Sequence, residues 1–239
     1  MNFINTSEFE DFINDAEIEN EIENQKEDKT EILEILKKSD ELKGLSSKDA
    51  LKLSAIKSED LKQQLFETAA KIKKDIYGSR IVFFAPLYIS NICSNNCVYC
   101  AFRVDNKLVR RHSLTKEELI NEITLLQKQG HKRLILVFGE SKISTAEFIA
   151  DCVKTVYSTK IYNTKNIEIG SIRRVNINAA PLDIDDYKIV KAAGIGTYQI
   201  FQETYHKKTY SLAHPANTKK GDYYWRLFSL HRAMKAGID

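Results

Sequence analysis

No stretch of the sequence approaches the roughly 18 uninterrupted apolar residues that a membrane-spanning helix requires. The amino terminus, MNFINTSEFEDFINDAEIENE, has no basic segment followed by an apolar run, so it does not read as a secretory signal. It is also too acidic and too poor in arginine for an ordinary transit peptide. Cysteine is scarce, with four in 239 residues, and three of these fall within eight positions, which is not the layout of a disulfide scaffold. Three prolines and nine glycines exclude collagen-like and mucin-like chains. What is present is an ordinary globular composition, 43% hydrophobic and 29% charged, sized for one large domain or one and a half small ones. The expectation is a cytoplasmic globular protein with no membrane partner.

The net charge of +3 conceals an asymmetry. Residues 1–30 hold ten acids and two lysines, so that segment carries −8 and the remaining residues +11. An acidic, solvated helical arm on a mildly basic body is the simple reading. A basic body also attracts anions such as nucleotides. Its cations are dispersed and not interleaved with aromatics in any segment, so nucleic acid is not expected as a partner.

Residues 1–78 read as an amino-terminal helical extension. Apolar residues from Phe9 to Ile35 recur with polar residues between them. Ser46 or Ser47 caps a short helix with Asp49 in its first turn, and Ser58 caps a longer one that Gly78 ends. Residues 79–239 then alternate strand and helix. RIVFFAPLYIS (80–90) is a continuous apolar run, the mark of a strand buried on both faces. A helix over 113–130 capped by Thr115 or Ser113, a strand at 133–139 and a helix at 144–157 follow. A third strand within 167–179, a helix at 183–194, a fourth strand at 197–203 and a helix at 222–237 complete the pattern, with Trp225 and Met234 assigned to the core. Such alternation means an α/β protein of parallel βαβ units, either doubly wound or about four units of a (βα)8 barrel. A fifth strand is expected where the sequence stops at Ile238-Asp239, and eight strands need roughly the same length again. The expectation is the amino-terminal half of such a barrel.

The chemistry centres on Cys93-Ser-Asn-Asn-Cys97-Val-Tyr-Cys100, on the loop after the first strand. Loops at the carboxyl ends of strands are where α/β folds bind ligands. Three thiolates on a short loop can hold three irons of a [4Fe–4S] cluster and leave the fourth open to a small molecule. The alternative is a structural zinc site, which needs a fourth ligand from His112 or the distant Cys152. Cys152 itself sits at apolar helical spacing and reads as a small buried hydrophobe.

The CxxxCxxC spacing, with aromatic Tyr99 before the last cysteine, resembles the radical S-adenosylmethionine enzymes. Gly139-Glu140, ending the second strand, is similar to the stretch that in those enzymes receives the methionine amino group. Glycine permits close backbone approach there, and the acid pairs with the ammonium. Phe138 departs from the small residue common before it. The phrases APLYISNICSNNCVYCAFR (85–103), GHKRLILVFGE (130–140), IRRVNINAAPL (172–182), GIGTYQIFQETYH (194–206) and YYWRLFSLHRAMKAGID (223–239) resemble the radical tyrosine lyases of this family. That group serves thiamine synthesis and [FeFe]-hydrogenase maturation, and GHKRL, IRRVNIN and GTYQIFQETYH look more like the hydrogenase branch.

The resemblance implies a (βα)8 TIM-type barrel that uses a [4Fe–4S] cluster and S-adenosylmethionine. The activity it implies is cleavage of the Cα–Cβ bond of L-tyrosine to p-cresol and dehydroglycine. The dehydroglycine would then give carbon monoxide and cyanide for hydrogenase H-cluster assembly. A thiamine-type 2-iminoacetate synthase, or an iron–sulfur remnant without catalysis, is the alternative. The implied partners are an electron donor such as flavodoxin or ferredoxin and other maturation proteins. The auxiliary carboxy-terminal cluster of that branch has no cysteine motif in this sequence, which contains none after Cys152. The implied cluster ligands are Cys93, Cys97 and Cys100. Cofactor contacts are expected from Tyr99, Gly139, Glu140, Arg174 and Asn176, and substrate contacts from Asn178, Gln202, Glu203 and Thr204. His206, His214 and His231 read as ordinary helix or loop histidines.

Overall fold

The computed structural model describes residues 9–238. The chain divides into two compact units, one of Asp11–Val82 and one of Phe83 to Ile238 that also includes Phe9 and Glu10. The first unit is helical: α1 (Asp15–Glu23), α2 (Lys29–Ser39), α3 (Ser47–Ser54) and α4 (Glu59–Tyr77). Ser46 and Asp49 cap α3 reciprocally, each side chain bonded to the other residue's backbone N–H. Asp28 caps α2 by accepting from the N–H groups of Thr30 and Glu31. Ile32, Leu36 and Leu61 form this unit's small core, with Leu53, Ile56 and Leu65 packed around them. The helical reading of residues 1–40 resolves into two helices, with caps Asn24 and Asp28 bounding the break between them, and its residues 1–8 lie outside the described residues.

The second unit is built on four parallel strands, β1 (Ala85–Ser90), β2 (Arg133–Phe138), β5 (Arg174–Asn178) and β6 (Tyr198–Gln199), hydrogen-bonded in that order. Between them run α5 (Lys116–Lys128), α6 (Ala146–Ser158) and α7 (Ile184–Ala192); α8 (Lys207–Ala213), a 3₁₀ turn at Lys219–Gly221, α9 (Tyr223–Leu227) and α10 (Ser229–Lys235) follow. Neighbours in the sheet are successive in the chain, so every right-handed crossover lays its helix on the same face. This is the singly wound order of a barrel wall, and the doubly wound alternative does not apply. Alternate residues of each strand bury against the helices: Leu87 and Ile89, Leu134 and Leu136, Val175 and Ile177, joined by Ile123, Ile149, Val153 and Tyr187 in one core. The other parity, including Pro86, Tyr88, Val137, Asn176 and Asn178, faces the concave side.

Several expectations require correction. The first strand starts at Ala85, because Ile81 to Phe84 lie exposed, and β1 alternates buried and exposed residues where burial on both faces was expected. The third strand region holds an unanticipated antiparallel hairpin, β3 (Lys160–Tyr162) with β4 (Glu168–Ser171), ahead of β5. The fourth strand is only two residues long. The final helix breaks at Phe228 into α9 and α10, and Met234 is 70% exposed where a core position was expected. Trp225 is half-buried and carries the Arg232 guanidinium 3.8 Å above its ring.

Candidate metal centre

The carboxyl ends of the four strands form one rim, and the cysteine loop lies across it. Cys93, Cys97 and Cys100, all free thiols, line a single cavity of about 450 Å³ together with Tyr88, Tyr99, Val137, Gly139, Glu140, Asn178, Phe201 and Glu203. That volume falls in the range of small-molecule sites, about 300–1,000 Å³.

The loop is fixed at this rim by the end of β2. Ser94 donates to the Glu140 carbonyl from its N–H at 2.8 Å and from its hydroxyl at 3.0 Å. Gly139 N–H donates to the Ser90 carbonyl at 2.8 Å. A Cβ on Gly139 would stand 2.4 Å from the Ile92 carbonyl oxygen, so only glycine lets strand end and loop approach this closely. The Glu140 carboxylate is buried. Its Oε2 accepts from Asn95 Nδ2 at 2.7 Å and from Arg226 at 3.2 Å. Asn95 in turn accepts from the backbone N–H of Lys220 at 2.9 Å.

A second tie runs to the segment around α8. Val98 N–H donates to the Ala213 carbonyl at 3.1 Å, and the Tyr99 hydroxyl lies 2.8 Å from Nε2 of His214. Nδ1 of His214 sits 2.8 Å from the Tyr210 carbonyl, which can only accept, so that nitrogen carries the proton and Nε2 accepts from Tyr99. Burial, followed by the positive charges of Lys220 and Arg226, holds the His214 pKa below its usual value. Lys220 pairs with Glu203 at 2.8 Å and stands 5.6 Å over the Tyr99 ring. Glu203 has a backbone φ of +70°, a left-handed conformation that a glutamate adopts only when its surroundings enforce it. Burial works against its ionised form, but the Lys220 hydrogen bond and charge prevail and keep its carboxyl below the ordinary range.

Burial raises the Cys97 thiol pKa, while Lys220 opposes that rise and favours a thiolate. Phe102 N–H donates to Cys100 Sγ at 3.3 Å, a contact that stabilises sulfur charge. Among the described residues, no three His, Cys, Asp or Glu side chains gather closely enough to hold one metal ion, as zinc would require. His112 is engaged with Glu118 at 2.9 Å. Cys152 is buried in the helix core, its thiol pushed up to about 12 by burial, and is inert.

The other anticipated residues divide. Asn178 lines the cavity with Glu203, whereas Gln202 is buried on the opposite parity and Thr204 accepts from the His206 N–H at 3.2 Å. Arg174 opens β5, about 13 Å from Asn178 at 3.3 Å per residue. It donates to the Gly196 carbonyl at 3.0 Å, away from the rim. Asn176 lies between them, its Oδ1 buried without a partner. Sequence reasoning gave no role to Asn95, although it lies within the cysteine motif, nor to Lys220, Arg226 or His214.

The sequence profile of the Radical SAM superfamily matches residues 87–239. A crystal structure of HydG, a maturase of the [FeFe]-hydrogenase, superposes with a TM-score of 0.90 at 45% identity, covering 96% of this chain and 49% of that one. The HydG of Carboxydothermus hydrogenoformans superposes with a TM-score of 0.79 at 39% identity, covering 94% and 49%. The 2-iminoacetate synthase of Salmonella typhimurium is 30% identical over 82% of this chain and 48% of its own length. The chain thus spans about half the length of the relatives it matches. With the cysteine loop at the rim of a partial βα barrel, the chain belongs to the radical SAM superfamily.

Proposed function

We propose that the protein is a tyrosine lyase of the hydrogenase-maturation kind, cleaving the Cα–Cβ bond of L-tyrosine to p-cresol and dehydroglycine, the latter giving carbon monoxide and cyanide. The observation that carries this reading is 45% identity to HydG across 96% of the chain. In this reading Cys93, Cys97 and Cys100 hold a [4Fe–4S] cluster, and S-adenosylmethionine bound to it supplies a 5′-deoxyadenosyl radical. Gly139 and Glu140 lie beside the methionine end, and Asn178 and Glu203 face the substrate. Arg226 and Asn95 hold the Glu140 carboxylate in a fixed orientation. Tyr88 and Phe201 give the cavity an aromatic lining. A cytoplasmic setting, a flavodoxin or ferredoxin donor and other maturation proteins as partners belong to the same proposal.

A second reading, a 2-iminoacetate synthase, is favoured by the Salmonella relative. Both readings yield p-cresol. The anaerobically reconstituted, reduced chain is incubated with S-adenosylmethionine and L-tyrosine, and p-cresol, cyanide and glyoxylate are quantified. Cyanide supports the maturase reading, whereas p-cresol with glyoxylate alone supports the second. 5′-Deoxyadenosine without p-cresol would overturn both and leave the superfamily assignment standing.

A further inference from the structure

The cysteine loop is an excursion from Asn91 to His112 that contains neither helix nor strand. Such a segment has carbonyl groups that must find partners or stay wet. Four of them find the same partner. One terminal nitrogen of Arg111 donates to the carbonyls of Asn91 at 2.8 Å and Phe102 at 2.9 Å. The other donates to those of Arg103 at 2.6 Å and Asn106 at 3.2 Å. The mouth of the excursion is closed by Asn91, whose side chain donates to the Arg110 carbonyl and accepts from the His112 N–H, both at 2.8 Å. Arg103 adds a bond from its own guanidinium to the Cys100 carbonyl at 3.2 Å.

A guanidinium presents its donors in one rigid plane, so these four bonds together set where the chain enters the loop and where it leaves Cys100. None of them reaches a sulfur. We infer that Arg111 is a positioning residue that presets the three-cysteine loop for its cluster, acting through four backbone carbonyls. The inference rests on the cluster reading of the cysteines and adds to it the device that holds them ready. Lysine at 111 keeps the charge but offers a single point, which cannot span carbonyls on opposite sides of the excursion.

The test compares the full chain with Arg111→Lys and Arg111→Ala, using Arg110→Lys as a neighbouring control. Without iron, hydrogen exchange across residues 91–112 is measured alongside the thermal midpoint. After anaerobic reconstitution with ferrous iron and sulfide, the rate of iron loss to bathophenanthroline is followed by absorbance. Arg111→Lys is expected to speed exchange within the loop and to accelerate iron loss about 10–100-fold, the scale of losing an outer-shell support. The iron-free midpoint and the Arg110→Lys chain should stay at wild-type values. Unchanged exchange and iron loss in both Arg111 variants would overturn the inference, as would an acceleration matched by a fall in the iron-free midpoint. A wild-type chain that protects the loop yet takes up no iron would overturn the cluster reading, and the role of the clamp with it.

Discussion

The Tyr99 hydroxyl donates to Nε2 of His214 across 2.8 Å, joining residues 115 positions apart in the chain. One belongs to the cysteine motif; the other ends α8 and is 1% exposed. Tyr99→Phe removes the donor and leaves a buried ring nitrogen unpaired, at an expected cost of about 1–3 kcal/mol. Pairing it with His214→Leu removes both polar partners, so the double variant should lose less than the two singles together. Urea unfolding of the four chains measures the coupling, and strictly additive losses would mean that the bond contributes nothing.

His214 also gives the fold an acid-sensitive point. Its folded pKa is lowered, first by burial, so the folded ring resists a proton that the unfolded chain accepts. Its contribution is therefore complete above the unfolded value of about 6.5 and declines as pH falls from there through the lower folded value. Stability of the iron-free chain should drop between pH 7 and 5, and His214→Phe should flatten that slope. An identical slope in the variant would assign the acid sensitivity to other groups.

At Gly139 the prediction is steric. A methyl group added there meets the Ile92 backbone, which cannot swing aside as a side chain would. Gly139→Ala should cost about 1–3 kcal/mol and separate the strand end from the cysteine loop. Iron content after reconstitution should fall with it. Full iron loading at wild-type stability would show that the two backbones have room to part.

Glu140 and Arg226 form an ion pair with 9% and 6% of their side chains exposed. Removing one charge strands the other: Arg226→Met should cost about 3–5 kcal/mol, and adding Glu140→Gln should recover a large part of it. Denaturant unfolding of single and double variants decides the matter. No recovery would mean that Arg226 acts mainly through the Phe201 carbonyl it also faces at 3.4 Å.

In the helical unit, Asp49 is held at about 2, first by the Lys38 hydrogen bond and then by Ser46. Lys38→Met should move its titration upward toward the ordinary aspartate value, read by NMR of the side-chain carboxyl. An unmoved midpoint would make the Ser46 capping box the main cause.

The parts legible in sequence were those specified locally. Ser46 and Thr115 cap helices as their spacing indicates, and Gly78 and Gly130 adopt the positive φ that ends helices. The apolar runs of β1 and β2 and the alternation of β5 place the cysteine loop at the strand-end rim. Parity along β5 correctly grouped Arg174, Asn176 and Asn178 on one side, but parity cannot say which end of a strand a function occupies. Arg174 stands at the opposite end from the loop. Asn95, Lys220 and Arg226 were invisible for a related reason: each is an ordinary polar residue until the fold brings Asn95 and Arg226 to Glu140, 45 and 86 positions away, and Lys220 to Glu203 and to the Asn95 side chain. The two-residue β6 is specified by its neighbour β5 and by the Tyr198 hydroxyl reaching the Ala180 carbonyl, not by its own composition.

The bond from Lys220 to Asn95 spans 125 residues, so this tie of the cysteine loop forms only after the segment following α8 has been made. At a synthesis rate of about 5–20 residues per second, the thiols wait roughly 6–25 s on the ribosome with that side of the loop open. In order of synthesis the Arg111 clamp is available first and the Asn95 tie comes last.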